Sequence, residues 1–207
     1  MTEPKSLVFD EENHTYTVDG VVIPSVTDIC GIIPKLGIVP SAIINQAARR
    51  GSLVHELCQL VDYGCDKDGI PCPPDLVGYI LAYMRFTRDY KPEWEMIEHK
   101  IYSPHFEYAG TLDRYGKIDG KPVLLDIKTS SSPNRPTLIS WACQLAGYAD
   151  LLDTPGPLSM VDLQLKKNGT YRVIDAAETE KKFNFNSFQL FHELRYIYQL
   201  SSGRVTA

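Results

Sequence analysis

The stretch Gly110-Thr-Leu-Asp-Arg-Tyr-Gly-Lys-Ile-Asp-Gly-Lys-Pro-Val-Leu-Leu-Asp-Ile-Lys-Thr129 decides how this chain is read. It has the pattern of a β-hairpin. Asp119-Gly120 is the turn, because both central positions of a type I′ turn need positive φ. If Ile118 faces Lys121, paired positions keep one sum along the ladder, which sets Asp113 opposite Asp126 and Thr111 opposite Lys128. Side chains alternate between faces, so those four share one face. Leu112, Val123, Leu125 and Ile127 are expected on the other, facing a core. Pro122 has no N–H to donate, so the register is least secure beside the turn.

Directly opposed Cβ atoms lie about 4.5–5.5 Å apart, and like charges there are destabilising. A divalent cation resolves the conflict: Mg²⁺ is typically held by one or two carboxylates together with waters and substrate phosphate. Lys128 then stands beside a metal-bound water. A single Asp-x-Lys on a strand is more often a solvated charged face, so the case rests on the hairpin register and on the rest of the chain.

The chain has 207 residues and reads as a single domain. The expected parts are an N-terminal hairpin and loop over 1–40, a catalytic core over 41–175, and a C-terminal helix over 176–207. Its 43% hydrophobic and 23% charged content are those of an ordinary globular protein. With no apolar leader and no long apolar run, neither export nor a membrane span is expected. The five cysteines are odd in number and contain no Cys-x-x-Cys pair, which argues for a reducing cytoplasm rather than a disulfide framework. Net charge is −5, unlike a passive nucleic-acid binder, although local patches set the field. Arg49-Arg50, Lys166-Lys167 and Lys181-Lys182 are basic pairs, and Arg85 and Arg88 lie one helical turn apart.

Residues 7–23 alternate around Asp19-Gly20 and predict an N-terminal β-hairpin. Ser25 then caps a short helix ending near Gly31, and residues 32–40 form a loop. From Ser41 to about Tyr63, Val54, Leu57 and Val61 continue a helical apolar stripe that starts at Ile43. The neighbouring stripe carries Ala48, Gly51 or Ser52, His55 and Gln59, with Gly51 suited to close approach of another group. A second helix is expected over 75–90. Trp94–Tyr102 alternates as a strand, with Ile97, His99 and Ile101 on one face and Met96, Glu98, Lys100 and Tyr102 on the other. After the hairpin come a loop (129–134), a helix (136–152), two strands around Asn168-Gly169, and one amphipathic helix from about Thr179 to Leu200. Gln144 and Tyr148 are four apart and project from one helix face. The fold class is therefore α/β (α+β), a central mixed β-sheet flanked by helices with an N-terminal β-hairpin.

The order Arg50-Gly-Ser-Leu-Val-His55, Glu98, Gly110-Thr-Leu-Asp113, Asp126-Ile-Lys128 and Gln144-Leu-Ala-Gly-Tyr148 resembles the PD-(D/E)XK nuclease superfamily. Within it, the lambda-type and RecB-type exonuclease branch is the most similar. The resemblance covers about residues 50–150 and implies a restriction-endonuclease-like core. It implies Asp113, Asp126 and Lys128 as catalytic residues, and Asp113, Asp126, the Ile127 carbonyl and His55 as ligands of Mg²⁺, with Mn²⁺ able to substitute. An upstream glutamate often assists; Glu98 and Glu56 are both candidates, and Glu98 is preferred because its strand neighbours the hairpin. Gln144, Tyr148, Thr129, Ser130 and Arg50 would contact substrate. No cysteine follows Cys143, so the iron–sulfur cysteines of some relatives are absent.

Three functions follow from the resemblance. The first is a DNA exonuclease acting at DNA ends in recombination or repair, phage-borne in some relatives, which would act in the host cytoplasm. Its expected partners are DNA and either further copies of itself, as in ring-shaped relatives, or a single-strand-annealing recombination protein. The second is an endonuclease of the same superfamily, restriction or junction-cleaving. The third is a non-catalytic nucleic-acid-binding module on the same scaffold, against which the intact Asp113, Asp126 and Lys128 set argues.

Overall fold

Asp119 and Gly120 both take positive φ, 50° and 73°. The type I′ turn that this requires joins β5 (Tyr108–Ile118) to β6 (Lys121–Lys128). The pairs run from Ile118–Lys121 through Lys117–Pro122 to Arg114–Leu125, so the expected register survives the proline. The ladder stops there, one step short of Asp113 and Asp126. In its place the Asp113 carboxylate accepts the Ile127 N–H at 2.6 Å. Thr111 does not face Lys128; its hydroxyl shares a 2.6 Å hydrogen bond with the Tyr16 hydroxyl.

The computed structural model describes residues 6–11, 13–33, 41–65, 69–152 and 154–202, without the side chains of 41–45. The elements before the hairpin are β1 (Leu7–Asp10), β2 (Thr15–Val18), β3 (Val21–Ile23), α1 (Val26–Cys30), α2 (Ser41–Asp62), α3 (Val77–Tyr90) and β4 (Glu93–Ser103). After it come α4 (Arg135–Leu152), β7 (Ser159–Leu165), β8 (Tyr171–Asp175), α5 (Ala176–Phe183) and α6 (Ser187–Ser201). The main sheet has the order β4-β5-β6-β7-β8, antiparallel except for the β6–β7 pair. That parallel pair needs a crossover, and α4 supplies it.

Helices cover both faces of this sheet, which makes the architecture α+β with a mixed five-stranded sheet. Val123, Leu125, Ile127, Val161, Leu163 and Leu165 pack against α2 and α3. Leu124, Tyr108 and Leu112 pack against α1, α4 and α6. Leu112 thus joins the core opposite to the one expected. Regular pairing with β6 has ended by this point, and Glu98 on the neighbouring strand takes a φ of 46°. Alternation therefore does not carry through. The same irregularity corrects the faces expected for β4, since Met96 and Ile101 both pack in the α4-side core.

The N-terminal hairpin is one part of a three-stranded antiparallel sheet, because Leu7–Asp10 adds a strand ahead of the Asp19-Gly20 turn. Ser25 forms the expected cap as a full capping box with Asp28. The expected single C-terminal helix is two helices. Asn184 ends α5 with a φ of 55°, and the Asn186 side chain caps α6 by accepting from Gln189 N–H. Asparagine suits both roles. Phe188 and Ile197 are largely exposed, while Phe191 and Leu194 are buried. No helix among the described residues is long and apolar enough to cross a membrane. The expected loop over 32–40 lies outside the described residues beyond Ile33.

The largest wholly buried side chain is Arg114. Its Nε donates to Asp62 Oδ2 at 2.6 Å, and its Nη1 donates to Glu98 Oε1 at 2.9 Å and to the Asp113 carbonyl at 2.6 Å. Asp62 also accepts from the Tyr83 hydroxyl and from Trp94 Nε1. One buried ion system thus joins α2, α3, β4 and β5. Removing one partner of such a pair leaves a charge without compensation. Asp62→Ala is expected to lower stability by about 3–5 kcal/mol in urea unfolding, and Tyr83→Phe by only about 1 kcal/mol. A loss under 1 kcal/mol for Asp62→Ala would contradict this account.

Candidate active site

The site forms where β5 and β6 part. α2 reaches it from one face of the sheet. Its Val54, Leu57 and Cys58 are buried in the core, so the opposite stripe of Ser52, His55, Glu56 and Gln59 lines an open cleft. His55 Nε2–H donates to the Ile127 carbonyl at 3.0 Å, since a carbonyl can only accept. Its Nδ1 lies 3.5 Å from a carboxylate oxygen of Glu98 and 3.5 Å from one of Asp113. His55, Glu98 and Asp113 thereby present ligand atoms that all lie within 4.8 Å of one another.

α4 reaches the site from the other face. Lys128 Nζ donates to Asp126 Oδ2 at 2.5 Å and to Gln144 Oε1 at 2.7 Å. Gln144 Nε2 in turn donates to the Tyr148 hydroxyl at 3.2 Å. Tyr148 packs closely on β5 because Gly110 leaves room: a Cβ there would sit 2.6 Å from the Tyr148 ring. This gives the glycine of Gly110-Thr-Leu-Asp113 a packing reason.

The charges are mutually perturbing. Burial and the adjacent Asp126 push the Asp113 carboxyl up to about 7, against the pull of His55. Burial alone would depress His55, but Asp113 and Glu98 outweigh it and raise the imidazole to about 9. Burial disfavours ionised Glu98, yet His55 and Arg114 together hold it below the usual carboxylate range. Burial likewise opposes the Lys128 ammonium, and Asp126 and Asp162 overcome it. Burial pushes the Tyr148 phenol well up, so it stays a hydrogen-bond donor.

Of the residues expected from sequence, His55, Glu98 and Asp113 meet in one cluster. Asp126, Lys128, Gln144 and Tyr148 form a contiguous chain beside it. Glu56 lines the cleft but stays outside the cluster. Thr129 and Ser130 follow β6, where the Ser130 carbonyl accepts from Gln164 Nε2 at 2.6 Å. Arg50 Nε is buried with no hydrogen-bond partner among the described residues. Among the described residues, no atom comes near a Cβ built on Gly51, so none of them makes the close approach expected there.

Several contributors escaped the sequence reading. Asp162 is buried and in register with Asp126 across the parallel pair, and its Oδ1 has no hydrogen-bond partner among the described residues. Burial drives its carboxyl well above the usual range, with Lys128 opposing. The signal was there in Met160, Asp162 and Gln164, which alternate with the apolar Val161, Leu163 and Leu165 and share the α4 face. Arg114 directly follows Asp113. The N-terminal sheet also lines the cleft, through Phe9 and Tyr16 on its strands and Glu11 and His14 in the connection between β1 and β2; no local pattern announces that.

No protein-family model matches this chain, and no curated protein matches it significantly.

The shifted groups set a pH dependence for the metal-free protein. A group whose folded pKa is raised adds stability below its unfolded value and loses it as pH climbs to the folded value. Asp113 therefore costs stability between about 4 and 7, and His55 between about 6.5 and 9. In EDTA the unfolding temperature is expected to fall by a few degrees from pH 6 to pH 9. His55→Gln is expected to flatten the part above pH 6.5. A midpoint unchanged across that range would show that the two groups are not coupled as described.

Proposed function

We propose that this protein is a metal-dependent deoxyribonuclease of the PD-(D/E)XK type, hydrolysing phosphodiester bonds at DNA ends. The observation that carries the reading is the meeting of His55, Glu98 and Asp113 within 4.8 Å, next to a Lys128 ammonium held between Asp126 and Gln144. Two carboxylates and one imidazole make a hard, oxygen-rich donor set, which fits Mg²⁺ or Mn²⁺. The strained charge state of Asp113 points the same way, since a nearby cation would favour its ionised form.

His55, Glu98 and Asp113, with Asp126 and the Ile127 carbonyl next to them, would hold the ion. When bound, such an ion polarises a phosphoryl oxygen and lowers the pKa of a coordinated water. The residues of the chain have their own tasks. Lys128 keeps its proton, so it orients the attacking water and offsets negative charge that builds on the phosphoryl oxygens. Asp126 and Gln144 aim that ammonium, and Tyr148 fixes Gln144 through its hydroxyl. Arg114 holds Glu98 from below, and Gln164 restrains the segment after Lys128 by its hold on the Ser130 carbonyl.

Asp113→Asn and Lys128→Ala are expected to lower the cleavage rate by about 10²–10³-fold or more, with Lys128→Ala still folded at the assay temperature but with a lowered unfolding midpoint, because buried Asp126 loses its partner. The assay is an end-labelled linear duplex with Mg²⁺, beside a covalently closed circle and an EDTA control. Loss of linear DNA with intact circles supports end-dependent hydrolysis. Nicked or linearised circles would replace it with the endonuclease reading. Cleavage that persists in EDTA, or in either variant at the wild-type rate, would refute the assignment.

A further inference from the structure

The cleft beside the cluster has a volume of about 760 Å³. It runs from His55 and Glu98 to the N-terminal sheet, whose Phe9, His14 and Tyr16 form its far wall. The Phe9 and Tyr16 ring centroids are 4.5 Å apart, those of Phe9 and His14 are 5.9 Å apart, and Lys100 Nζ lies 5.0 Å from the Phe9 centroid. This wall is fastened to the strand that carries Asp113. Tyr16 binds Thr111, the Ala109 N–H donates to the Pro24 carbonyl at 3.0 Å, and Ser25 bridges Ala109. The aromatic wall therefore keeps a set position relative to Asp113.

We infer that the N-terminal sheet is a nucleobase-binding wall, and that the strand entering the cleft is unpaired, with a base stacked on Phe9 and His14. The inference deepens the nuclease reading and rests on it for the placement of the scissile phosphate beside Asp113.

Three properties of the cleft support this occupant. Its volume lies within the range of small-ligand pockets, about 300–1,000 Å³, enough for a short run of single nucleotides. Exposed His14 and half-buried Phe9 line it, and an aromatic ring can take a base whatever its sequence. Its charge is mostly negative, since Glu11, Asp28, Glu56 and Glu98 line it against the ammonium of Lys100 and the imidazolium of His55. Carboxylates repel phosphates, so the neutral base is the part of a nucleotide that such a cleft accepts. His14 is exposed, which leaves its ring available.

The test measures binding with hydrolysis blocked. Fluorescein-labelled single-stranded oligonucleotides, one carrying thymine bases and one abasic throughout, are titrated by anisotropy with the full-length protein in EDTA. The wild-type protein is expected to bind the base-bearing strand more tightly than the abasic one. Phe9→Leu, which keeps the apolar packing, and His14→Ala are each expected to weaken the base-bearing strand about five- to hundredfold, the range of one base–aromatic stack. Affinity for the abasic strand should stay constant. Equal wild-type affinity for the two strands overturns the inference, and that comparison needs no variant to fold. So does a folded Phe9→Leu/His14→Ala double variant that still prefers the base-bearing strand.

Failure of the nuclease reading looks different. A wild-type protein that prefers base-bearing strands but cleaves nothing in Mg²⁺ keeps the wall and loses the hydrolase. One that cleaves in Mg²⁺ but ignores bases keeps the hydrolase and loses the wall.

Discussion

A guanidinium with no solvent exposure constrains this structure more than any other group. Arg114 cannot lose its charge, so the protein must surround it with acceptors. Its Nε and Nη1 find Asp62 from the end of α2, Glu98 from β4 and the carbonyl of Asp113, while its buried Nη2 has no partner among the described residues. A buried ion system of this kind is weak evidence for net stability, because apolar replacements often do as well. What it does impose is geometry. Glu98 must turn toward Arg114, and the strand accommodates this with a φ of 46° at that residue. The same turn brings Glu98 beside His55. The cation that satisfies the core therefore also presents a carboxylate to the candidate site.

The second consequence concerns the sheet. Between Arg114–Leu125 and the ends of the two strands, ladder hydrogen bonds give way to a side-chain bond from Asp113 to the Ile127 amide. That opening admits α2 from one face and α4 from the other. His55 reaches the Ile127 carbonyl, and Gln144 reaches the Lys128 ammonium. β6 and β7 are parallel, and the site lies toward the carboxyl end of β6, where open sheets containing parallel strands commonly place theirs. On β7, Asp162 and Gln164 stand beside Asp126 and Lys128 in register, so the buttress of the site extends one strand further than the motif.

Much of this could be read from the chain in one dimension. The Asp119-Gly120 turn, the period of β6, the amphipathic stripe of α2 and the Gln144–Tyr148 spacing are all local. Each follows from φ preferences or from the repeat of a single element, and neighbouring residues suffice to fix them. The C-terminal helix shows where such a reading fails. Its apolar spacing looks continuous, while Asn184 and Asn186 each favour a helix end, and the break prevails because packing on α4 needs only Phe191 and Leu194 buried.

What the chain determined by itself was the kind of most elements and the spacing of side chains along a single one, as with Gln144 and Tyr148 on α4. Tertiary structure alone decided that Glu98 and not Glu56 joins His55 and Asp113, that Leu112 packs on the α4 side, that Asp162 stands beside Asp126, and that the first strands wall the cleft. These outcomes join residues far apart along the chain. They depend on where whole elements must lie to bury their apolar faces and neutralise Arg114, and no short window of sequence carries that information.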